Sequence, residues 1–155
     1  MKYLAIIAKV ENSSNYAGWF ADPITAFATG KTRIEVESKM PRILAAYLNG
    51  MGDQAAPPSA QSLADADPES FEGAEDIKTL WVEPASISAV SLEIERAIKT
   101  SGLTQTEVAR RSGMHRSAVA RLVDPFYDKH SWDSLQRVAT ALEARLEPPR
   151  FVLAK

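Results

Sequence analysis

His115, Arg116, Ser117 and Arg121 stand close together in the segment MHRSAVARL, and Thr104 and Gln105 precede them at the head of TQTEVARRSG. Arginine can bond guanine at two atoms of the major-groove edge, which makes Arg116 and Arg121 candidates for reading bases. Ser117 and His115 can bond either bases or phosphates. Gln105 can donate from its amide to a phosphate, and free backbone amides at a helix start, where Thr104 also sits, add to such an anion site. The chemistry these groups suit is docking on DNA rather than bond making. Lys129 and Tyr127, in the loop beyond, are further candidate phosphate contacts. Arg110 and Arg111 read as a solvated face. His115 reads equally as an unusual helix cap, since Ser, Thr, Asp or Asn is preferred there.

Two short helices must position these side chains. Thr104-Gln105-Thr106-Glu107 is a capping box, in which hydroxyl and carboxylate satisfy two free amides. Ala109 is small enough for two helices to approach, and Gly113 can take the left-handed conformation that a tight turn demands. Val108, Met114, Val119 and Leu122 are expected to point to a common core. This is a helix-turn-helix, whose first helix lies across the DNA backbone while the second enters the major groove. A helix over 92–100 precedes it, with Ile94, Ala97 and Ile98 on one side and Gly102 at its end. Ser131 caps a further helix that buries Leu135, Val138, Ala139 and Leu142 and that Pro148-Pro149 stops. Phe151-Val152-Leu153 is an apolar tail expected to fray at the terminus or to pack on the domain or a partner chain.

The preceding half reads differently. Tyr3-Leu4-Ala5-Ile6-Ile7-Ala8 has the length of a buried strand rather than a helix. Asn12-Ser13-Ser14-Asn15 is a turn, and Tyr16-Ala17-Gly18-Trp19-Phe20 is a second strand completing a hairpin. Asp22-Pro23 breaks it, and Ala26-Phe27-Ala28-Thr29 is a third strand closed by Gly30. Thr32-Arg33-Ile34-Glu35 is a second capping box, followed by apolar residues at Val36, Met40, Ile43, Leu44, Tyr47 and Leu48 with helical spacing. Pro41 interrupts this helix, which ends at Gly50 or Gly52. Residues 53–78 read as a loop with a short helix over 68–74. Leu80-Trp81-Val82 is a last strand, and 84–89 is the seam between the halves.

Composition narrows the function classes. There is no cysteine and there are two histidines, too few for a thiolate site or an all-histidine metal site. No cofactor is expected. The net charge of −2 conceals an asymmetry: residues 1–80 hold seven Lys/Arg against eleven Asp/Glu, whereas 96–130 hold seven against three. Basic charge thus gathers on the helix-turn-helix, as nucleic-acid binding requires. The apolar run after Lys2 is far shorter than the about 18 residues of a membrane span, and it lacks a small-residue cleavage site. A cytoplasmic protein without a membrane anchor is expected. Metal-dependent phosphoryl transfer needs clustered carboxylates. Only Glu11 and Asp22 lie near the strand ends, so an enzyme is not expected.

Residues 92–147 resemble the five-helix DNA-binding domain of phage repressors and Xre-like regulators, through LTQTEVARRSGMHRSAVARL followed by SLQRVATAL. Positions 105, 115, 116, 117 and 121 fall where that family contacts DNA. Asp124-Pro125-Phe126 replaces the Glu-Asn-Gly turn of many relatives. The first half resembles the HicB antitoxin domain. Phe20-Ala21-Asp22 through Gly30-Lys31-Thr32 matches that family's Phe-Pro-Asp…Gly-Asp-Thr stretch at equal length, and Ile43-Leu44-Ala45-Ala46-Tyr47-Leu48 matches the end of its helix. Ile24-Thr25-Ala26 replaces its Pro-Gly-Cys.

The resemblance implies an α+β protein. A partial ribonuclease-H-like domain with a small antiparallel sheet would span 1–84, and an all-α helix-turn-helix domain 90–150. It implies an antitoxin that binds a small basic HicA-like RNA-cleaving toxin and represses its own operon through operator DNA. Tyr16, Trp19 and Asp22, with the acidic patch, are the candidate toxin-facing residues. A homodimer or higher oligomer is expected, because one helix-turn-helix reads little DNA and dimers read half-sites about 34 Å apart. The alternative is a helix-turn-helix regulator that senses a small ligand, with Tyr16, Trp19, Phe27 and Trp81 as candidate pocket aromatics.

Overall fold

A computed structural model describes residues 1–150 and residue 153. The protein is mixed α+β and divides into two compact units, Met1–Ser86 and Ile87–Lys155. The division lies inside the Pro-containing seam at 84–89.

In the first unit, β1 (Tyr3–Lys9), β2 (Tyr16–Phe20), β3 (Ala28–Gly30) and β4 (Glu75–Val82) form an antiparallel sheet of order β3-β2-β1-β4. α1 (Arg33–Met51) packs on one face. Side chains alternate across a strand, so the uninterrupted apolar run of β1 serves both faces. Tyr3, Ala5 and Ile7 join Phe20, Val36, Met40, Leu44 and Val82 in the core under α1. Leu4, Ile6 and Ala8 are buried on the opposite face.

The loop between α1 and β4 reaches that second face. Trp19 lies opposite Ile6 in the ladder, and its Nε1 donates to Ser70 Oγ at 3.2 Å. Three short 3-10 turns shape this loop, at Gly52–Gln54, Leu63–Asp65 and Pro68–Phe71. Only the last coincides with the short helix expected over 68–74. The Tyr3 hydroxyl donates to the Ala56 carbonyl at 3.1 Å. Its pKa is raised, chiefly by burial and secondarily by the nearby Asp22 and Tyr47.

Several boundaries differ from the sequence reading. β3 begins at Ala28, leaving Phe27 outside it and 68% exposed. β4 is eight residues long, not three. Its charged first half reads as loop because it is an edge strand with most side chains in water, where charges are tolerated and discourage further pairing.

α1 runs through Pro41 and ends at Gly52, so Gly50 lies inside the helix. Thr32 Oγ1 caps it by accepting from Glu35 N at 3.2 Å. The Glu35 carboxylate accepts from Lys31 N and Lys39 Nζ instead of returning to the Thr32 amide. The capping box is therefore half formed. Lys39 and the Lys31 amide together hold the Glu35 pKa below its ordinary value. Gly18 lets β2 approach α1 closely: a Cβ there would stand 2.6 Å from Val36 Cγ1.

The second unit is α2 (Ala89–Ser101), α3 (Gln105–Ser112), α4 (Arg116–Leu122) and α5 (Trp132–Ala141). Ile94, Ile98, Val108, Ala109, Val119, Leu122, Val138 and Ala141 form its core, with Met114, Leu135 and Leu142 packed against it. Ala97 and Ala139 are only half-buried.

The four helices among the described residues are the four segments read from the sequence, one fewer than in the five-helix family of the resemblance. One expectation is corrected: α5 ends at Ala141, well before Pro148-Pro149. Glu143 takes φ +54, its amide bonds Thr140 O, and Ala144 N bonds Ala139 O. This paired closure satisfies the last carbonyls and reverses the chain without proline. Within the apolar tail, Phe151 and Val152 lie outside the described residues, and Leu153 is exposed.

Candidate nucleic-acid interface

The turn between α3 and α4 sets the geometry. Gly113 adopts φ +66, its amide bonds Arg110 O, and Met114 N bonds Ala109 O at 3.1 Å. Positive φ is costly for side chains bearing a Cβ, so glycine suits the corner. Val108 and Val119 are fully buried and Ala109 nearly so, which locks the two helices together. The side chains left outside are those expected to meet DNA.

Arg116, Ser117 and Arg121 are exposed on α4. Ser117 and Arg121 are four residues apart and share a face, with Arg116 flanking them. Arg116, Arg121 and Lys129 form no ion pair among the described residues, so their cations are open to an external anion.

His115 occupies the cap position of α4. Its carbonyl accepts from Ala118 N and Val119 N, but its ring makes no capping bond and is exposed. The position is thus a cap while the imidazole remains outside.

At the start of α3, Thr104 Oγ1 accepts from Glu107 N at 3.1 Å. This leaves the earlier amides, beside the half-buried Gln105, without a partner inside the helix. Glu107 does not complete the expected capping box. Its carboxylate binds Arg110 at 2.6 Å and Arg111 at 3.0 Å. Those bonds pull the Glu107 pKa down to about 2. Glu107 thus offsets one of the two positive charges of Arg110 and Arg111, and the pair keeps a net charge of +1.

Two supporting groups were not legible in the sequence. Arg137 of α5 reaches back to the corner, its Nη2 3.4 Å from Gly113 O. Buried Ser91 of α2 places Oγ 3.0 Å from His130 Nε2, and the same nitrogen stands 3.1 Å from Leu122 O at the end of α4. Tyr127 packs edge-on against the His130 ring. The Asp124-Pro125-Phe126 segment thus leads into a loop tied to α2, with Ser88 N donating to Pro125 O at 2.7 Å. Neither long-range pair has a local sequence signal.

The candidate toxin-facing residues separate. The Tyr16 hydroxyl donates to Asp76 Oδ2 at 3.2 Å, and the Arg33 guanidinium lies 5.7 Å from the Tyr16 ring centre while pairing with Asp76. Trp19 is half-buried and lines a cleft with Phe27; Tyr16 and Trp81 are not among the residues lining that cleft. Asp22 is 6% exposed, and its Oδ1 accepts from Ser59 N, Ser59 Oγ and Ala60 N. It is a loop anchor and offers almost no surface to a partner.

Among the described residues, no group of three or more His, Asp or Glu side chains could hold a metal ion, and no helix is long and apolar enough to cross a membrane. Compared with models of known protein families and with curated protein sequences, the chain matches none.

Proposed function

We propose that the second unit binds operator DNA through α3 and α4, and that the first unit neutralises a small basic RNA-cleaving toxin, making the protein an autorepressing antitoxin. The observation that carries the DNA half is the α3–Gly113–α4 corner. It buries Val108 and Val119 and leaves unpaired Arg116 and Arg121 on one exposed helix. α4 would lie in the major groove with its arginines on base edges, while the open start of α3 and Lys129 hold phosphates.

The toxin half is supported by the resemblance carried by residues 20–32 and 43–48. The antiparallel sheet with one helix packed on it is compatible with the partial ribonuclease-H-like scaffold that the resemblance implies. A homodimer would let two copies read paired half-sites.

The experiment is co-expression with the product of the neighbouring open reading frame, which this reading requires to be a small basic protein, followed by co-purification, growth rescue and binding to the DNA upstream of this gene. Co-purification with recovered growth and a promoter complex is the expected result. Promoter binding without any basic partner would favour the ligand-sensing regulator. A complex with the partner but no promoter binding would remove the repressor half.

A further inference from the structure

The sheet face opposite α1 carries a cleft of about 350 Å³, lined wholly by residues of the first unit. Ala17, Trp19, Phe27 and Phe71 line it. Phe27 is 68% exposed, and neighbouring Val10 is 42% exposed. The cleft is held in shape by the Trp19–Ser70 hydrogen bond and by the close fit of Glu11 against Gly73, where a Cβ would meet Glu11 Oε2 at 2.5 Å. An exposed aromatic at a built apolar cleft is the signature of a binding surface, since covering it removes apolar area from water.

The charge around the cleft is predominantly acidic. Glu11 and Glu72 line it, and neither forms an ion pair among the described residues. Lys9, its one lining cation, lies 3.9 Å from Glu75. The adjoining segment 65–76 holds six Asp/Glu and no Lys or Arg. A neutral ligand would leave these acids unanswered, and two copies of this face would set like charges together.

We propose that this cleft docks a basic polypeptide segment. A large apolar side chain of that segment enters between Trp19, Phe27 and Phe71, and flanking Lys or Arg residues pair with Glu11 and Glu72. The proposal deepens the antitoxin reading and rests on it for the natural partner. Of the toxin-facing candidates it keeps Trp19 and the acidic patch, sets aside Tyr16 and Asp22, and adds Phe27.

The test titrates the full chain with a short synthetic peptide bearing a central Phe flanked by Lys and Arg, followed by calorimetry. Control peptides carry Ser in place of Phe, or Glu in place of the basic residues. Binding of the first peptide alone, weakened about tenfold or more by Phe27→Ser and by Glu72→Lys, is expected. Both substituted side chains are exposed, so unchanged melting and promoter binding should accompany the loss. Equal binding of the controls, absence of binding by any peptide, or indifference to both substitutions overturns the proposal. So does concentration-dependent self-association that Phe27→Ser abolishes, which would assign the face to a second copy.

A parallel arm separates the two readings. Co-purification of the neighbouring reading frame's product that survives both substitutions overturns the cleft and leaves the antitoxin standing. Peptide binding at the cleft without co-purification supports the cleft and overturns the antitoxin.

Discussion

Asp22 and Ser59, 37 residues apart in the chain, are joined twice: Asp22 Oδ1 accepts from both the amide and the hydroxyl of Ser59, each at 2.7 Å. A third bond comes from Ala60 N at 3.1 Å. One carboxylate at the end of the hairpin therefore pins the loop that follows α1. Hydrogen bonds to a charged, buried acceptor are among the stronger ones, and losing the acceptor strands its donors.

Asp22→Ala should therefore destabilise the first unit by about 2–3 kcal/mol, the order expected for losing bonds to a buried charge. Denaturant unfolding gives the size, and limited proteolysis should show faster cutting within 53–67. Promoter binding should be unchanged. Unaltered stability with weaker partner binding would instead return Asp22 to the surface role first expected of it.

Gly113→Ala tests the corner between α3 and α4. The new Cβ would meet only Arg137 Nη2, at an ordinary 3.6 Å, so the penalty is conformational. Left-handed backbone costs an alanine about 1–2 kcal/mol. Asparagine tolerates that conformation better, so melting temperatures should rank Gly113, then Asn, then Ala. Equal stability of Asn and Ala would show that backbone conformation is not the cause.

Glu107 links the interface to acid stability. Its folded pKa of about 2 lies below the ordinary 4.5, so its pairing with Arg110 and Arg111 stabilises the fold fully above 4.5. That contribution fades as pH falls from 4.5 towards 2. Because the group is exposed and screened, the effect should be small. Glu107→Gln should lower the melting temperature at neutral pH, and the difference from the parent should vanish near pH 2. A constant difference across that range would mean that packing rather than charge was lost.

Arg116→Ala should weaken operator binding by about 1–3 kcal/mol and relax preference at a single base pair. Lys129→Ala should weaken all sequences alike and reduce the salt dependence by about one ion. Band-shift titrations against single-base operator variants, at several salt concentrations, separate the two patterns. Loss of partner binding together with operator binding in Arg116→Ala would indicate misfolding.

Local chemistry was legible directly. Thr32, Thr104 and Ser131 cap their helices because a hydroxyl beside a helical run has free amides in reach. Gly113 turns left-handed, and the apolar spacing of Val36, Met40 and Leu44 or of Val108, Val119 and Leu122 marks the buried faces, because helical periodicity places them there. The hairpin of β1 and β2 follows from its turn cluster and apolar runs.

What only the tertiary structure decided depends on contacts distant in sequence. The first half of β4 carries Glu75, Asp76 and Lys78 and becomes a strand because β1 supplies its hydrogen-bonding edge. Asp22 carries the same composition signal as any turn aspartate, and its burial depends on a loop that returns 37 residues later. Phe27 falls outside β3 and onto the lip of an acidic cleft for the same reason: residue type and spacing describe one segment, whereas exposure and charge partners depend on which other segments fold against it.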